Sequence, residues 1–101
     1  MFGLSESSYG LFLQALNRFP EIEQVKIFGS RAMGNYKPGS DVDVVLYGDQ
    51  VDGNLASELS IVLNEQMPIP YHFDVLSFSD ITSPELIDHI NSFGQVVMFG
   101  R

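Results

Sequence analysis

The sequence lacks cysteine, has few basic residues and contains no long apolar run. The absence of cysteine excludes disulfide bonds, cysteine-ligated zinc and iron–sulfur clusters, and it is typical of cytoplasmic proteins. No segment approaches the roughly 18 consecutive apolar residues that a membrane-spanning helix needs. The first residues include no basic segment and soon reach Glu6, so we expect no secretory signal. Together these absences predict a cytoplasmic protein with no membrane partner.

The chain is strongly acidic. Its 101 residues carry 13 acidic and 5 basic side chains, which give a formal net charge of −8. Such a surface repels nucleic-acid phosphates, so we expect no direct binding of DNA or RNA. A polyanionic ligand would need bound cations or a local group of basic residues. The length and the 45% hydrophobic content suit a globular protein with one modest core, and we predict a single domain over residues 1–101.

Hydrophobic periodicity predicts three helices and three or four strands. The helices are expected at residues 5–19, 54–67 and 84–93, with N-caps at Ser5 or Ser7, at Asn54 and at Ser83. The strands are expected at residues 25–28, 41–47 and 71–77, with a short fourth strand at 95–99. This order indicates an α/β (α+β) fold in which helices pack on a small mixed sheet.

Three aspartates carry the clearest chemical signal. Asp41 and Asp43 project from the same face of one predicted strand, with attachment points about 6–7 Å apart. If the strand at 71–77 lies alongside, Asp74 joins them. Two carboxylates 4 Å apart repel by about 4 kcal/mol at an effective dielectric constant of 20, so stability does not explain such a group. Divalent cations relieve the repulsion, and the oxygen ligands favour Mg²⁺ or Mn²⁺.

Gly29 and Ser30 form a tight turn at the end of the strand 25–28. Glycine permits close approach of a ligand, and the Ser30 hydroxyl can donate to phosphate oxygens. Arg31 and Lys37 supply local positive charge, and Ser40 is a further candidate in the same loop. Two divalent ions and these two basic side chains nearly neutralise a triphosphate and three carboxylates. This near-neutral sum of charges is typical of phosphoryl or nucleotidyl transfer by a two-metal site, which we therefore predict.

Each candidate also has a structural alternative. Asp74 is either a metal ligand or a buried, hydrogen-bonded carboxylate. Arg31 and Lys37 are either phosphate ligands or surface charges, and Ser40 either binds phosphate or caps a turn. We interpret His89 as a surface residue of the last predicted helix.

Two other phosphate or metal motifs are excluded by particular residues. Residues 34–40 are similar to a phosphate-binding P-loop, but the Lys-Ser/Thr pair is missing and a strand follows instead of a helix. An EF-hand starting at Asp41 would need glycine at residue 46 and glutamate at residue 52, and the chain has Leu46 and Asp52 there.

The remaining pattern resembles a known family. Gly29-Ser30, ten further residues, Asp41-Val42-Asp43 and the later Asp74 resemble the motif of the nucleotidyltransferase superfamily that includes DNA polymerase beta. Residues 29–46 are similar to those of the minimal nucleotidyltransferases (MNT) of bacteria and archaea. The resemblance implies a polymerase beta-like fold and ATP as the substrate.

The resemblance also implies roles for the motif residues. Asp41 and Asp43 would hold two Mg²⁺ ions, and Asp74 would hold the catalytic ion and help to deprotonate the acceptor. Gly29 and Ser30 would bind the terminal phosphates. The chain departs from many family members at Met33, where they carry a second arginine, and this difference implies weaker phosphate binding.

A partner protein is implied as well. MNT proteins of this kind form two-gene systems with an all-helical HEPN toxin and act as antitoxins by moving AMP from ATP to a tyrosine of the toxin. We therefore expect a hetero-oligomer with a HEPN-type protein. Two alternatives stay open: a non-catalytic protein that neutralises a toxin by binding it, and a nucleotidyltransferase that acts on a small molecule.

Overall fold

The computed structural model describes residues 1–100, so the predicted domain boundary at residue 101 lies outside the described residues. Helices and strands alternate along most of this part of the chain. They are α1 (Glu6–Asn17), β1 (Gln24–Phe28), α2 (Ser30–Met33), β2 (Val42–Tyr47), α3 (Gly53–Ile61), β3 (Phe73–Ser77), α4 (Pro84–Phe93) and β4 (Gln95–Val96). A π-helical turn, Val62–Gln66, extends α3, and a single 3₁₀ turn, Phe78–Asp80, follows β3.

Within the described residues the strands form one mixed sheet in the order β3-β2-β1-β4. Strand β1 is antiparallel to both of its neighbours, whereas β2 and β3 are parallel. Parallel neighbours need a crossover connection, which α3 and its π-helical extension supply. The predicted fold class, a small mixed sheet with helices packed on it, is confirmed.

The two faces of the sheet differ in composition because side chains alternate along each strand. Val42, Val44 and Leu46 of β2 point into the main core, where Phe12 of α1 stacks on Phe73 of β3 at 5.3 Å between ring centroids. Full burial of each such side chain stabilises the fold by about 1.5–3 kcal/mol. The opposite face has a smaller core made of Phe28, Val45 and Ile90. This second face therefore leaves room for polar side chains.

Capping residues set the helix starts. The predicted N-caps Ser5 and Ser83 are confirmed, since each side chain accepts a hydrogen bond from a backbone N–H in the first turn. The prediction of Asn54 as the cap of α3 is wrong. Asp52 accepts the bond from the Leu55 N–H at 2.9 Å, because the helix begins before Asn54. An N-cap side chain of this kind contributes about 1 kcal/mol.

Several predicted boundaries differ from those of the structure. Helix α1 ends at Asn17, two residues earlier than predicted, and β4 spans only Gln95–Val96 of the predicted 95–99. Gly94 ends α4 as predicted. None of the helices within residues 1–100 is both long enough and apolar enough to cross a membrane.

Candidate active site

The candidate site lies on the second sheet face, where β2 and β3 begin. Asp43 is directly opposite Asp74 in the register of the two parallel strands, and neighbouring strands lie about 4.8 Å apart. Asp41 immediately precedes β2. Because side chains alternate between the two faces of a sheet, Asp41 is expected on the same face as Asp43, two residues later. Asp43 is half-buried, whereas Asp41 and Asp74 are exposed. The fold thus brings together the three aspartates on one face, and the alternative of a buried Asp74 does not apply.

The like charges act on one another. Burial raises the pKa of Asp43 above its ordinary value, and the carboxylates of Asp74 and Asp41 raise it further. His89 has the opposite, lowering influence on this pKa. A half-buried carboxylate with two acidic neighbours is destabilised when it is charged, and a cation bound among the three groups would remove that penalty.

The donor set fits a hard divalent cation in its chemistry. Three carboxylates offer the oxygen ligands that Mg²⁺ prefers, and Mg²⁺ usually keeps water and substrate oxygens in its remaining positions. Within residues 1–100, however, no three Asp, Glu, His or Cys side chains are already grouped closely enough to hold a metal ion. Coordination would therefore require the exposed carboxylates of Asp41 and Asp74 to rotate towards Asp43.

The turn at Gly29 packs directly against Asp43. Gly29 has a φ of +75°, a conformation that residues with a side chain rarely adopt. A Cβ atom at this position would collide with Asp43 Oδ2. The Gly29 N–H donates to His89 Nε2 at 3.0 Å, so this amide is not free for a phosphate. Ser30 follows at the start of α2 and is half-buried.

Arg31 points inward and is only 4% exposed. Its Nε and Nη2 atoms donate to the Ser40 carbonyl at 3.1 and 2.8 Å, and its Nη1 donates to the Phe2 carbonyl at 2.9 Å. The guanidinium also lies over the rings of Tyr36 and Tyr71, 4.8 and 5.2 Å from their centroids. In this arrangement Arg31 is neither an exposed phosphate ligand nor a surface charge. It instead links the loop before β2 to the N-terminal segment.

The other two loop candidates, Lys37 and Ser40, contact each other. The Ser40 hydroxyl accepts a hydrogen bond from the Lys37 N–H at 3.0 Å, which is the turn-capping arrangement. Lys37 itself is exposed. Of the two predicted basic candidates, only Lys37 therefore has a side chain at the surface of this loop.

Asn64 is a site-forming residue that the sequence analysis did not identify. Its Oδ1 accepts from the Phe73 N–H at 2.8 Å, and its Nδ2 donates to the Phe73 carbonyl at 2.9 Å. The amide thus pairs with the first residue of β3 as another strand would. Because Asp74 is the next residue, Asn64 helps to fix its backbone. A single asparagine within a predicted helix gives no sequence signal for this contact.

His89 is the second such residue, and its interpretation as a surface residue is wrong. It is half-buried, and its ring contacts those of Phe28 and Phe93, at centroid distances of 6.2 and 5.4 Å. A sequence signal was present, because His89 lies three residues after Leu86 and four before Phe93, at helical spacing from both.

The fold is similar to that of chains in solved toxin–antitoxin complexes. A chain of a toxin–antitoxin structure with AMP-PNP aligns with a TM-score of 0.70 and 19% identity, covering 97% of this chain and 76% of that one. A chain of an MntA–HepT complex aligns with a TM-score of 0.65 and 16% identity, covering 91% of this chain and 70% of that one.

A chain from the complex of the tri-AMPylated Shewanella oneidensis HEPN toxin with its MNT antitoxin aligns similarly. Its TM-score is 0.64 at 15% identity, covering 90% of this chain and 69% of that one. No curated protein sequence matches the chain significantly. The sequence model of the family described as polymerase beta, nucleotidyltransferase, matches residues 13–99. The chain therefore belongs to the polymerase beta nucleotidyltransferase family.

Proposed function

We propose that this protein is a Mg²⁺-dependent adenylyltransferase that moves AMP from ATP to a tyrosine of a HEPN-type helical protein and thereby acts as its antitoxin. The observation that carries the proposal is the pairing of Asp43 with Asp74, with Gly29 packed on the Asp43 carboxylate. Membership of the nucleotidyltransferase family supports the reaction type. The fold shared with a chain from the complex of a tri-AMPylated HEPN toxin with its MNT antitoxin supports the acceptor.

Each aspartate has a role in the proposed reaction. Asp41 and Asp43 would hold two Mg²⁺ ions and Asp74 would share one of them. When bound, the ions would supply positive charge that neutralises the triphosphate and the charge that develops during transfer. The acceptor oxygen forms a bond to the α-phosphorus, the bond from that phosphorus to the bridging oxygen breaks, and pyrophosphate leaves. The hydroxyl proton passes to the exposed Asp74 carboxylate.

A separate acceptor molecule has access to this face. Asp74 is exposed, and a cavity of about 320 Å³ lies further along β3, lined in part by Val75, Leu76 and Leu86. The net charge of −8 favours a partner with a basic surface. We propose residues 1–101 as one catalytic domain, and we assign it to the cytoplasm because its proposed substrate is ATP.

The direct test is transfer of label from [α-³²P]ATP. The protein is incubated with Mg²⁺, with and without the helical protein encoded by the neighbouring gene, and label is expected on a tyrosine of that partner. Asp43→Asn should abolish labelling. Glu65→Gln removes the same charge at an exposed position of the π-helical turn and should leave labelling unchanged.

The same assay separates the two alternatives. Toxin neutralisation without ATP and without any label would refute the transfer reaction and favour simple binding. Label that appears only on a small molecule would refute the protein acceptor and leave the nucleotidyltransferase chemistry intact.

A further inference from the structure

Helix α4 contacts the Gly29–Ser30 turn through the side chain of His89. The Gly29 N–H donates to His89 Nε2 at 3.0 Å, across 60 residues of sequence. An imidazole nitrogen accepts a hydrogen bond only when it carries no proton. This contact therefore requires the His89 tautomer whose proton is on Nδ1.

The imidazole is itself held in place. The ring meets Phe28 edge-on, at 74° between the ring planes, and lies 5.4 Å from the Phe93 ring between centroids. The next residue of α4, Ile90, is fully buried in the small core with Phe28 and Val45. Such packing restricts the ring, so Nε2 is a fixed acceptor and not a mobile surface group.

Gly29 is consequently constrained from two sides. Its N–H is bound to His89, while its Cα lies so close to Asp43 Oδ2 that no Cβ fits between them. The distance from the turn to the carboxylate is therefore set by α4 as well as by the pairing of β1 with β2. A glycine turn without the His89 bond would be free to rotate its peptide and to move away from Asp43.

We propose that His89 is a positioning residue for nucleotide binding, which holds the Gly29–Ser30 turn against Asp43 in the geometry that receives the terminal phosphates of ATP. This inference rests on the proposed function. It predicts a selective effect, because AMP lacks the terminal phosphates and does not use the turn. ATP affinity should therefore depend on the His89 acceptor, whereas AMP affinity should not.

Two substitutions separate the hydrogen bond from the packing of the ring. His89→Phe keeps an aromatic ring between Phe28 and Phe93 but removes the acceptor. His89→Gln removes the ring but offers a carbonyl oxygen close to the position of Nε2. Asn91→Ala, at an exposed position of the same helix, is the matched control.

Binding of ATP and of AMP in the presence of Mg²⁺ is measured by titration calorimetry for each protein. We expect His89→Phe to weaken ATP binding about fivefold, the effect of losing one positioning hydrogen bond, with AMP binding unchanged. His89→Gln and Asn91→Ala should stay within about twofold of the unsubstituted chain. Equal ATP affinity in His89→Phe would overturn the proposal, and so would a parallel loss of ATP and AMP affinity.

Two further outcomes are decisive. If the unsubstituted chain binds no ATP, the proposed function fails together with this inference. If that chain binds ATP and His89→Gln is weakened as much as His89→Phe, only the inference fails, because an acceptor at this position then does not preserve ATP binding. Should His89→Phe not fold, ¹⁵N NMR of the unsubstituted protein at alkaline pH decides: a proton on Nε2 of His89 would contradict the proposal.

Discussion

Replacing Asp43 by asparagine should stabilise the metal-free protein while it abolishes transfer. Asp43 lies opposite Asp74 and two residues from Asp41 on the same face. At separations of about 5–7 Å, each neighbouring charge repels Asp43 by about 0.6–0.8 kcal/mol in water-like surroundings. The water-like value applies because both neighbours are exposed. Removing the Asp43 charge should therefore raise the free energy of unfolding by about 1–1.5 kcal/mol.

The stability gained by Asp43→Asn should depend on pH in a definite direction. Burial, then Asp74, then Asp41 raise the pKa of Asp43, and the opposing influence of His89 is smaller. A carboxyl group whose pKa is raised by folding favours the folded state when it is protonated, and this contribution is lost as pH rises through the folded-state pKa. The advantage of Asp43→Asn should thus be largest near neutral pH. It should shrink as pH falls towards the ordinary value of 3.8.

Urea unfolding without metal, at neutral and at acidic pH, measures both effects. Glu65→Gln is the control, because it makes the same change in net charge at an exposed position outside the site. Addition of Mg²⁺ should stabilise the unsubstituted protein more than Asp43→Asn, since only the former retains all three carboxylates. If Asp43→Asn is no more stable than Glu65→Gln at neutral pH, the proposed repulsion among the aspartates is wrong.

Three substitutions test the backbone around the site, each by urea unfolding. Gly34→Ala, in the αL conformation with no neighbour at the Cβ position, should lower the free energy of unfolding by about 1 kcal/mol. Gly29→Ala should lower it more, because a ψ of −155° is essentially restricted to glycine and because its Cβ also meets Asp43; equal costs would refute the close contact. Arg31→Lys should lower the free energy of unfolding by about 2 kcal/mol, because a single ammonium cannot replace the guanidinium bonds to two carbonyls. A loss below about 0.5 kcal/mol would contradict this role of Arg31. Asn64→Leu should lower the free energy of unfolding by about 1–3 kcal/mol and speed amide hydrogen exchange at the start of β3. Unchanged exchange there would exclude Asn64 as an edge partner of that strand.

The elements and the face of the aspartates could be predicted from sequence because both follow local periodicity. Asp41 and Asp43 share a face in any strand, whatever the rest of the chain does. The position of Asp74 depended on strand order, which the sequence did not determine, and the observed parallel pairing of β2 with β3 brought it opposite Asp43.

The contacts of Arg31 and His89 could not be predicted for a different reason. A charged side chain is usually exposed, and the carbonyls that make burial of Arg31 favourable belong to residues 9 and 29 positions away. The partner of His89 is 60 positions away. Such contacts are set by the tertiary fold, so the same residue types in the same local pattern are compatible with a surface location.

The division of the sheet into two unlike faces explains how a chain of 101 residues tolerates a repulsive site. The face towards α1 and α3 is apolar and contains the main core, so most of the stability does not depend on the aspartates. On the other face, the same helix that buries Ile90 against Phe28 and Val45 also bonds Gly29 through His89. Formation of the small core therefore brings the turn to Asp43, and the geometry of the site is coupled to the packing of α4.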